Sequence, residues 1–367
     1  MLAECLAGIR VLDLTQFIPG PFATQWLSDL GAEVVKVEPP AGDPMRTMGP
    51  CDGDGTTPFY KLANRNKRVV RLDLKDADGG RRFADLAARA DVLVEAYRPG
   101  VMDRLGFGRD RLAALNPRLV HCSLSGYGQF GPMAARAGHD LTYVALTGGL
   151  WASGTGAAPV MTFPPLADHA GAAQVVSAVL AALLRRERTG KGAHLDVSLS
   201  EAALAWMGGI LTMAHRWGDP AREGDLINGG AACYRVYRCR DGRFVALAAL
   251  EEKFWQAFCR AVGHEEWIHR QREPMPQAAL IADLEALFAG RDRDDWVALL
   301  APADCCLEPV LEPSEVPGHP HWRERDLVHA DDGLVEVLFP LMMDGARPMR
   351  RRRPVETSAQ EVLASWR

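Results

Sequence analysis

The first 38 residues constrain the fold most, because they read as strand, helix and strand in succession. Residues 8–14 (GIRVLDL) and 32–38 (AEVVKVE) are short apolar runs typical of buried strands, and residues 21–30 (PFATQWLSDL) between them predict a helix. Gly31 stands where a glycine commonly ends a helix. The stretch therefore predicts a βαβ unit, and with it a sheet of parallel strands.

The same alternation continues through the first half of the chain. It predicts strands at residues 91–96, 119–124 and 193–200, and helices at residues 78–89 and 201–217. A long apolar helix follows Asp168 and ends at Gly190. Because alternating strands and helices define the α/β class, we expect residues 1–217 to form a large Rossmann-like domain.

The polar segment 218–230 (GDPAREGDLINGG) predicts a linker to a second domain. Beyond it, residues 233–250 read as two strands joined at Asp241-Gly242, a pair typical of hairpin turns. With the helical segments that follow, residues 231–325 are expected to form a smaller α+β domain. Residues 326–367 contain a strand at 334–339 and a helix from Ser358, and we expect this segment to return to the large domain.

Composition and charge exclude several classes of protein. With 367 residues, 48% of them hydrophobic, the chain can bury a substantial core. The net charge of −5 argues against a nucleic-acid-binding protein, which usually carries a basic surface. The longest apolar run, residues 175–184, is shorter than the ~20 residues that cross a bilayer. The N-terminus lacks the features of a signal peptide, so we expect a cytoplasmic protein.

Two glycine patterns suggest a dinucleotide site, and both lack the required context. The turn after the first strand contains only Gly20. Residues 125–131 (SGYGQFG) contain a literal GxGxxG, but residues 132–138 leave no room for the long helix that this fingerprint opens. No NAD site is therefore expected. These glycines are interpreted as positions where the backbone closely approaches a ligand or a partner chain.

Residues 64–75 (NRNKRVVRLDLK) place basic side chains on both sides of a strand-like run. Arg65, Lys67, Arg68 and Lys75 could receive a phosphorylated ligand, as cationic side chains commonly do. They could equally form a solvated surface. The composition of the stretch leaves both interpretations open.

Two side chains capable of proton transfer, His139 and Asp168, occur beside glycine-rich loops in residues 138–171. Together they suggest a site that removes a proton from carbon, because an imidazole and a carboxylate are both general bases. Each has a plainer explanation as well. A single histidine often makes only structural contacts, and an aspartate that opens a helix is commonly its N-cap.

A series of segments resembles the class III CoA-transferase (CaiB/BaiF) superfamily, and within it the α-methylacyl-CoA racemase branch. These segments span nearly the whole chain and read PGPFATQWLSDLGAEVVKVE, NRNKRVVRLDLK, YRPGVMDRLGFG, NPRLVHCSLSGYGQFGP, AGHDLTY, PLADHAG, RTGKGAHLDVS, NGGAACYRVYRCRDGRFVALAALEEKFW and PVLEPSEV. The resemblance implies an interlocked homodimer with its active sites where the two chains meet.

The resemblance also implies roles for particular residues. The racemase bases fall on His139 and Asp168, and the glutamate that orients the histidine falls on Glu251. At a helix N-terminus, Asp168 is expected to stay anionic. CoA is then part of the substrate, and neither a metal nor a redox cofactor is implied. The positions that contact CoA fall on Leu72, Asp73, Leu74, Lys75, Arg98, Arg104, Gly138, Asp140 and Tyr143.

The implied reaction is inversion at the α-carbon of a 2-methylacyl-CoA, a reaction of lipid metabolism. Transferase members of the superfamily instead use the position of Asp168 as a nucleophile that forms a mixed anhydride. A CoA-binding protein without catalysis is a third alternative. His139 favours the racemase, as does Ile18, where oxalate-type transferases have glutamine. Pro164 and Pro39 depart from the racemase pattern.

Overall fold

The computed structural model describes residues 2–331 and 333–366. They form two compact units. The first contains the described residues of 1–146, 163–206 and 317–367, and the second contains residues 147–162 and 207–316. The segment predicted as a linker, 218–230, lies inside the second unit, and the predicted C-terminal segment 326–367 lies in the first.

The elements have the following bounds. The strands are β1 (Arg10–Leu14), β2 (Glu33–Glu38), β3 (Arg68–Arg71), β4 (Val92–Glu95), β5 (Val120–Ser125), β6 (Ala193–Ser198), β7 (Tyr234–Arg238), β8 (Phe244–Ala248), β9 (Leu307–Pro309), β10 (Val328–Asp331), β11 (Leu334–Val337) and β12 (Val355–Glu356). The helices are α1 (Pro19–Asp29), α2 (Pro58–Ala63), α3 (Ala77–Ala87), α4 (Val101–Arg104), α5 (Arg109–Leu115), α6 (Asp140–Ala145), α7 (Gly149–Ala152), α8 (Leu166–Thr189), α9 (Leu199–Leu204), α10 (Gly208–Trp217), α11 (Glu252–Val262), α12 (Ala278–Phe288), α13 (Arg293–Leu300), α14 (Pro320–Arg325) and α15 (Ala359–Ser365).

A parallel sheet of seven strands organises the first unit, in the order β12-β3-β2-β1-β4-β5-β6. The chain adds β2 and β3 on one side of β1, and β4, β5 and β6 on the other, so the order reverses between β1 and β4. In open α/β sheets, ligands bind outside the carboxyl ends of the strands at such a reversal. The predicted α/β class and the βαβ unit are confirmed, since β1 pairs with β2 in parallel.

Helices bury the sheet of the first unit. Phe83 and Leu86 of α3 share a core with Val362 and Trp366 of α15, so the C-terminal segment packs where the sequence predicts. A second group of helices, α1, α8 and α9, packs together, and α8 also lies against β5 and β6. Strands covered in this way carry continuous apolar runs, which is why they were recognisable in the sequence.

Helix α8 is the one helix in the described part of the chain that is long and apolar enough to cross a membrane by length and composition alone. In its most apolar window, 50% of the residues are buried inside the protein. Val175 and Val179 are fully buried. A core helix of a globular domain passes the same test, so this finding is weak support for a membrane span.

The single helix predicted over residues 201–217 is wrong. Helix α9 ends at Leu204, a turn of 3-10 helix follows at Ala205–Met207, and α10 begins at Gly208. Two consecutive glycines, Gly208 and Gly209, weaken the helix at this point, because glycine lowers helix stability by about 1 kcal/mol relative to alanine. The interruption coincides with the passage of the chain from the first unit to the second.

The second unit has a three-stranded antiparallel sheet in the order β7-β8-β9, with α11, α12 and α13. Strands β7 and β8 form the predicted hairpin, and Gly242 in its turn has a φ of 81°. The core contains Trp255 stacked on Phe258 and Tyr237 stacked on Phe288, with ring centroids 5.4 and 4.9 Å apart. The unit is an α+β structure.

Candidate active site

A cavity of about 380 Å³ opens at the carboxyl edge of the parallel sheet, where the strand order reverses. Three strands contribute to its lining. Gln16 and Phe17 follow β1, Tyr97 and Arg98 follow β4, and Ser125 ends β5. The cavity therefore lies where the topology of a doubly wound sheet places a ligand.

His139 lines this cavity and immediately precedes α6. Its backbone is fixed by Thr142. The His139 N–H donates to Thr142 Oγ1 at 3.0 Å, and Thr142 Oγ1 donates to the His139 carbonyl at 2.8 Å. The imidazole is exposed and lies edge-on to the ring of Phe17, with centroids 6.3 Å apart and an interplanar angle of 87°.

Asp168 lines the same cavity from the first turn of α8. Its backbone N–H donates to Asp140 Oδ1 at 3.1 Å, which ties the start of α8 to the start of α6. The N-cap residue of α8 is Pro165, so the interpretation of Asp168 as a plain N-cap is wrong. The structure thus brings the two predicted bases, His139 and Asp168, to one cavity.

The pKa of the Asp168 carboxyl lies close to neutral pH. Burial, and then the neighbouring Asp140 carboxylate, raise the pKa of Asp168 to about 6, against the opposing effects of His169 and His139. At pH 7 a carboxyl with this pKa is still mostly ionised, as expected, but its pKa is raised and not lowered, although the group lies at the helix N-terminus. Loss of hydration outweighs the helix dipole at this position. A carboxyl with a pKa near working pH can both accept and donate a proton.

Tyr143 packs against two glycines, and its ring leaves no room for a side chain at either position. A Cβ at Gly138 would lie 2.5 Å from Tyr143 Cε1, and a Cβ at Gly126 would lie 2.6 Å from the same atom. The Tyr143 hydroxyl donates to the Gly138 carbonyl at 2.6 Å. The close approach predicted for the glycines of residues 125–131 therefore involves, at Gly126, a tyrosine of this chain.

Two arginines bring positive charge to the cavity. Arg98 lines it in the turn after β4, and Arg136 lines it in the loop before Gly138. Both side chains are exposed and can meet an anionic ligand. Contact of Arg98 with CoA stays a prediction. The sequence reasoning missed Arg136, although its position two residues before Gly138 is a usable signal. Arg104 is exposed on α4 and is not among the lining residues.

The CoA contacts predicted at residues 72–75 are not brought to this cavity. Leu72 and Asp73 line a separate open groove of about 470 Å³ beside β12. Leu74 packs against the core of the first unit. The backbone N–H of Lys75 donates to Asp73 Oδ1 at 2.9 Å, and its side chain is exposed. Contact of these residues with CoA stays a prediction.

Both interpretations of the basic stretch 64–75 are wrong for two of its members. Lys67 is fully buried, and its ammonium donates to Asp13 Oδ2 at 2.9 Å. Arg65 is also buried and lies 3.3 Å from a carboxylate oxygen of Glu336. Buried charges are tolerated when they are paired, so these two residues serve the fold.

Two further candidates are placed differently. Glu251 belongs to the second unit, where it immediately precedes α11 and is exposed. Its role in orienting His139 stays a prediction. His169 makes structural contacts, since its Nδ1 lies 2.6 Å from the Pro165 carbonyl and its ring packs on Phe22 with centroids 5.5 Å apart.

The sequence as a whole identifies the class to which this fold and site belong. The family model of CoA-transferase family III matches residues 6–356, and the chain belongs to this family. The resemblance drawn from the sequence is thereby confirmed.

Relatives with two different activities match to a similar degree. The chain is 34% identical to acetyl-CoA:oxalate CoA-transferase of Acetobacter aceti, over 92% of this chain and 89% of the relative. It is 34% identical to α-methylacyl-CoA racemase of Homo sapiens, over 98% of this chain and 93% of the relative. The crystal structure of a CAIB/BAIF family protein from Brucella suis matches with a TM-score of 0.86 at 28% identity and covers 99% of both chains.

Proposed function

We propose that this protein is an acyl-CoA racemase or epimerase that inverts the α-carbon of a 2-methylacyl-CoA thioester. The observation that carries the proposal is that His139 and Asp168 line one cavity. Inversion needs a base on each face of the α-carbon, because a single base tends to return its proton to the face it came from. An imidazole and a carboxylate in one cavity supply such a pair.

The proposed reaction moves one proton off the substrate and another onto it. One base removes the α-proton, and the electron pair is delocalised into the thioester as an enolate. The protonated form of the other base then delivers a proton to the opposite face. The pKa of Asp168, raised to about 6, supports this assignment, because the group can take both parts near neutral pH. Only protons are transferred, so the proposal requires neither a metal nor a redox cofactor.

The CoA part of the substrate is proposed to meet the arginines of the cavity. Arg98 and Arg136 are exposed there and can form charge-assisted hydrogen bonds with phosphate oxygens. Asp140 and Tyr143 are proposed to support the site: Asp140 contacts the start of α8, and Tyr143 holds the Gly138 carbonyl. The remaining family positions, including Glu251 as the partner of His139, belong to the same proposal.

A second candidate is a CoA transferase, favoured by the match to the acetyl-CoA:oxalate CoA-transferase of Acetobacter aceti. In that reaction the Asp168 carboxylate attacks the thioester carbonyl, and CoA leaves as a thiolate. The thiolate then attacks the aspartyl carbonyl of the mixed anhydride, releasing the first acid and leaving an aspartyl-CoA thioester. An acceptor carboxylate takes the CoA by the same two steps in reverse.

Two parallel assays separate these candidates. In D2O, each enantiomer of a 2-methylacyl-CoA should gain deuterium at the α-carbon and undergo inversion, and hydroxylamine should have no effect. A transferase would instead be inactivated when hydroxylamine is added with acyl-CoA, because the aspartyl-CoA thioester is converted to a hydroxamate at Asp168. Asp168→Ala is the control that must remove the hydroxamate. Trapping at Asp168 without α-deuteration would make the transferase the correct assignment.

We further propose that the protein forms a homodimer, interlocked as the family resemblance implies, in the cytoplasm. The first unit exposes large apolar side chains, among them Leu184 and Trp206 at 63% each and Phe163 at 94%. Exposed apolar surface of this kind commonly marks a protein interface. Sedimentation at micromolar concentration should give twice the chain mass, and a monomer would contradict the proposal.

A further inference from the structure

The turn after β1 holds a bulky residue in an unfavourable backbone conformation. Phe17 has a φ of 64°, in the left-handed region that aromatic residues rarely adopt. Residues in this region persist where their surroundings determine the conformation, and they concentrate at functional sites. Phe17 is also 38% exposed and lines the cavity of His139 and Asp168.

Buried polar groups hold the backbone that enters this turn. The N–H and Oγ1 of Thr15 both donate to Asp13 Oδ1, at 2.9 and 2.5 Å. The Thr15 carbonyl accepts a hydrogen bond from Lys36 Nζ at 2.8 Å. These three residues are at most 1% exposed, so the contacts are shielded from water. The entry to the turn is therefore rigid.

The exit from the turn is equally restricted. Helix α1 begins against Thr15, and a Cβ at Gly20 would lie 2.2 Å from Thr15 Cβ. Only a glycine fits this approach. Because the backbone is held on both sides, Phe17 adopts the left-handed conformation. Its ring lies edge-on to the imidazole of His139, with ring centroids 6.3 Å apart. Edge-to-face pairs at this separation are attractive.

We propose that Phe17 is a positioning residue for His139: the buried contacts of Asp13, Thr15 and Lys36 hold Phe17 left-handed, so that its ring fixes the plane of the imidazole. A change of φ to a negative value would redirect the Cβ of Phe17 and remove the ring from His139. The catalytic consequence rests on the proposed function, because it requires His139 to be one of the two bases.

The first test concerns the conformation of the turn and needs no activity. Phe17→Gly and Phe17→Ala both remove the ring, but only glycine adopts a positive φ without strain. The glycine variant should melt higher than the alanine variant by roughly 2 °C. The same pair of substitutions at Asp85, an exposed residue within α3, should melt in the opposite order. An alanine variant at position 17 that melts higher would overturn the strained turn.

The second test concerns His139. Phe17→Leu keeps the apolar character and loses the aromatic edge. It should slow deuterium exchange about tenfold for the enantiomer whose exchange His139→Ala abolishes, and leave the other enantiomer within about twofold. Phe17→Tyr should restore the rate, and Phe17→Leu should add nothing in a His139→Ala background. Equal losses for both enantiomers would overturn the positioning role.

A third measurement tests the contact between the rings of Phe17 and His139 independently of the proposed function. The ring resonances of His139 are identified in the full protein by their disappearance in His139→Ala. Phe17→Leu should shift them, because the ring current of the phenylalanine is lost. Unchanged resonances would overturn the contact. If the wild-type protein exchanges neither enantiomer, the proposed function fails, while the melting order and these resonances still decide the placement of Phe17.

Discussion

Two aspartates of the first unit, the buried Asp13 and the half-buried Asp168, show what distinguishes a structural carboxylate from one suited to proton transfer. Burial alone would raise the pKa of Asp13, but Lys67, then Lys36, hold it well below the usual range. Burial also raises the pKa of Asp168, and there the neighbouring Asp140 adds to the rise, so the value reaches about 6.

The difference teaches that the neighbouring charges decide the outcome of burial. An ammonium 2.9 Å from Asp13 keeps that carboxylate ionised at every working pH, which suits a group that fixes the backbone of a turn. Around Asp168 the Asp140 carboxylate adds to the effect of burial and outweighs two imidazoles, so the pKa of this carboxyl lies at about 6. The same residue type therefore serves the scaffold at one position and the proposed chemistry at the other.

The largest expected effect comes from removing the cation of the structural site. Lys67→Met removes the ammonium that contacts the buried Asp13 and leaves only the weaker effect of Lys36, so it should lower the free energy of unfolding by about 3 kcal/mol. Asp168→Asn should not lower it, because that carboxyl is already unfavourable in its charged form. Urea denaturation at pH 7 measures both, with the exposed Lys75→Met as a control expected within about 0.5 kcal/mol of the wild type. Equal losses for Lys67→Met and Asp168→Asn would break the comparison.

The scaffold was largely predictable from the sequence, because its signals are local. The apolar runs of β1 and β2 and the glycine between them needed no knowledge of tertiary structure. The hairpin at Asp241-Gly242 and the helix capped by Ser358 were equally local, and both are confirmed. The helix predicted at residues 201–217 failed where Gly208 and Gly209 interrupt it.

The site was predictable only in part, because partners distant in sequence determine it. Lys67 looks like a phosphate ligand until its contact with Asp13, 54 residues away, is seen. The conformation of Phe17 and the pKa of Asp168 likewise depend on groups from other segments. His139 and Asp168 were recognised as candidate bases from their residue types, and the family resemblance, which carries tertiary information that periodicity does not, assigned them to one site.

A smaller effect is expected from removing Arg98, an exposed cation that lines the cavity. Arg98→Ala should raise KM for an acyl-CoA about tenfold and leave kcat nearly unchanged, since a phosphate contact remote from the α-carbon acts equally in the ground and transition states. Its stability should match the wild type, unlike that of Lys67→Met. Steady-state kinetics with Arg111→Ala, an exposed arginine of α5, is the control. An unchanged KM with a large fall in kcat would refute the assignment of Arg98.

The smallest expected effect is the pH dependence of stability at the two aspartates. Because the folded-state pKa of Asp168 lies above the ~3.9 of an unfolded chain, its contribution to stability is present below about pH 4 and is lost as pH rises through about 6. Asp168→Asn should therefore gain about 1 kcal/mol relative to the wild type between pH 4 and pH 8. The pKa of Asp13 is lowered, so its contribution is present above about pH 4 and should be constant between pH 5 and 8. If denaturation at these pH values shows no relative gain for Asp168→Asn, the contrast between Asp13 and Asp168 is contradicted.

The central claim is that His139 and Asp168 act as two bases on opposite faces of the α-carbon, and enantiomer-resolved deuterium exchange tests it most directly. In D2O, His139→Ala should still exchange the α-proton of one enantiomer of a 2-methylacyl-CoA, and Asp168→Ala should exchange only the other. In both variants inversion should fall by about 10²- to 10⁴-fold. If each variant exchanges the two enantiomers equally, or if His139→Ala retains full CoA-transfer activity, the two-base account is contradicted.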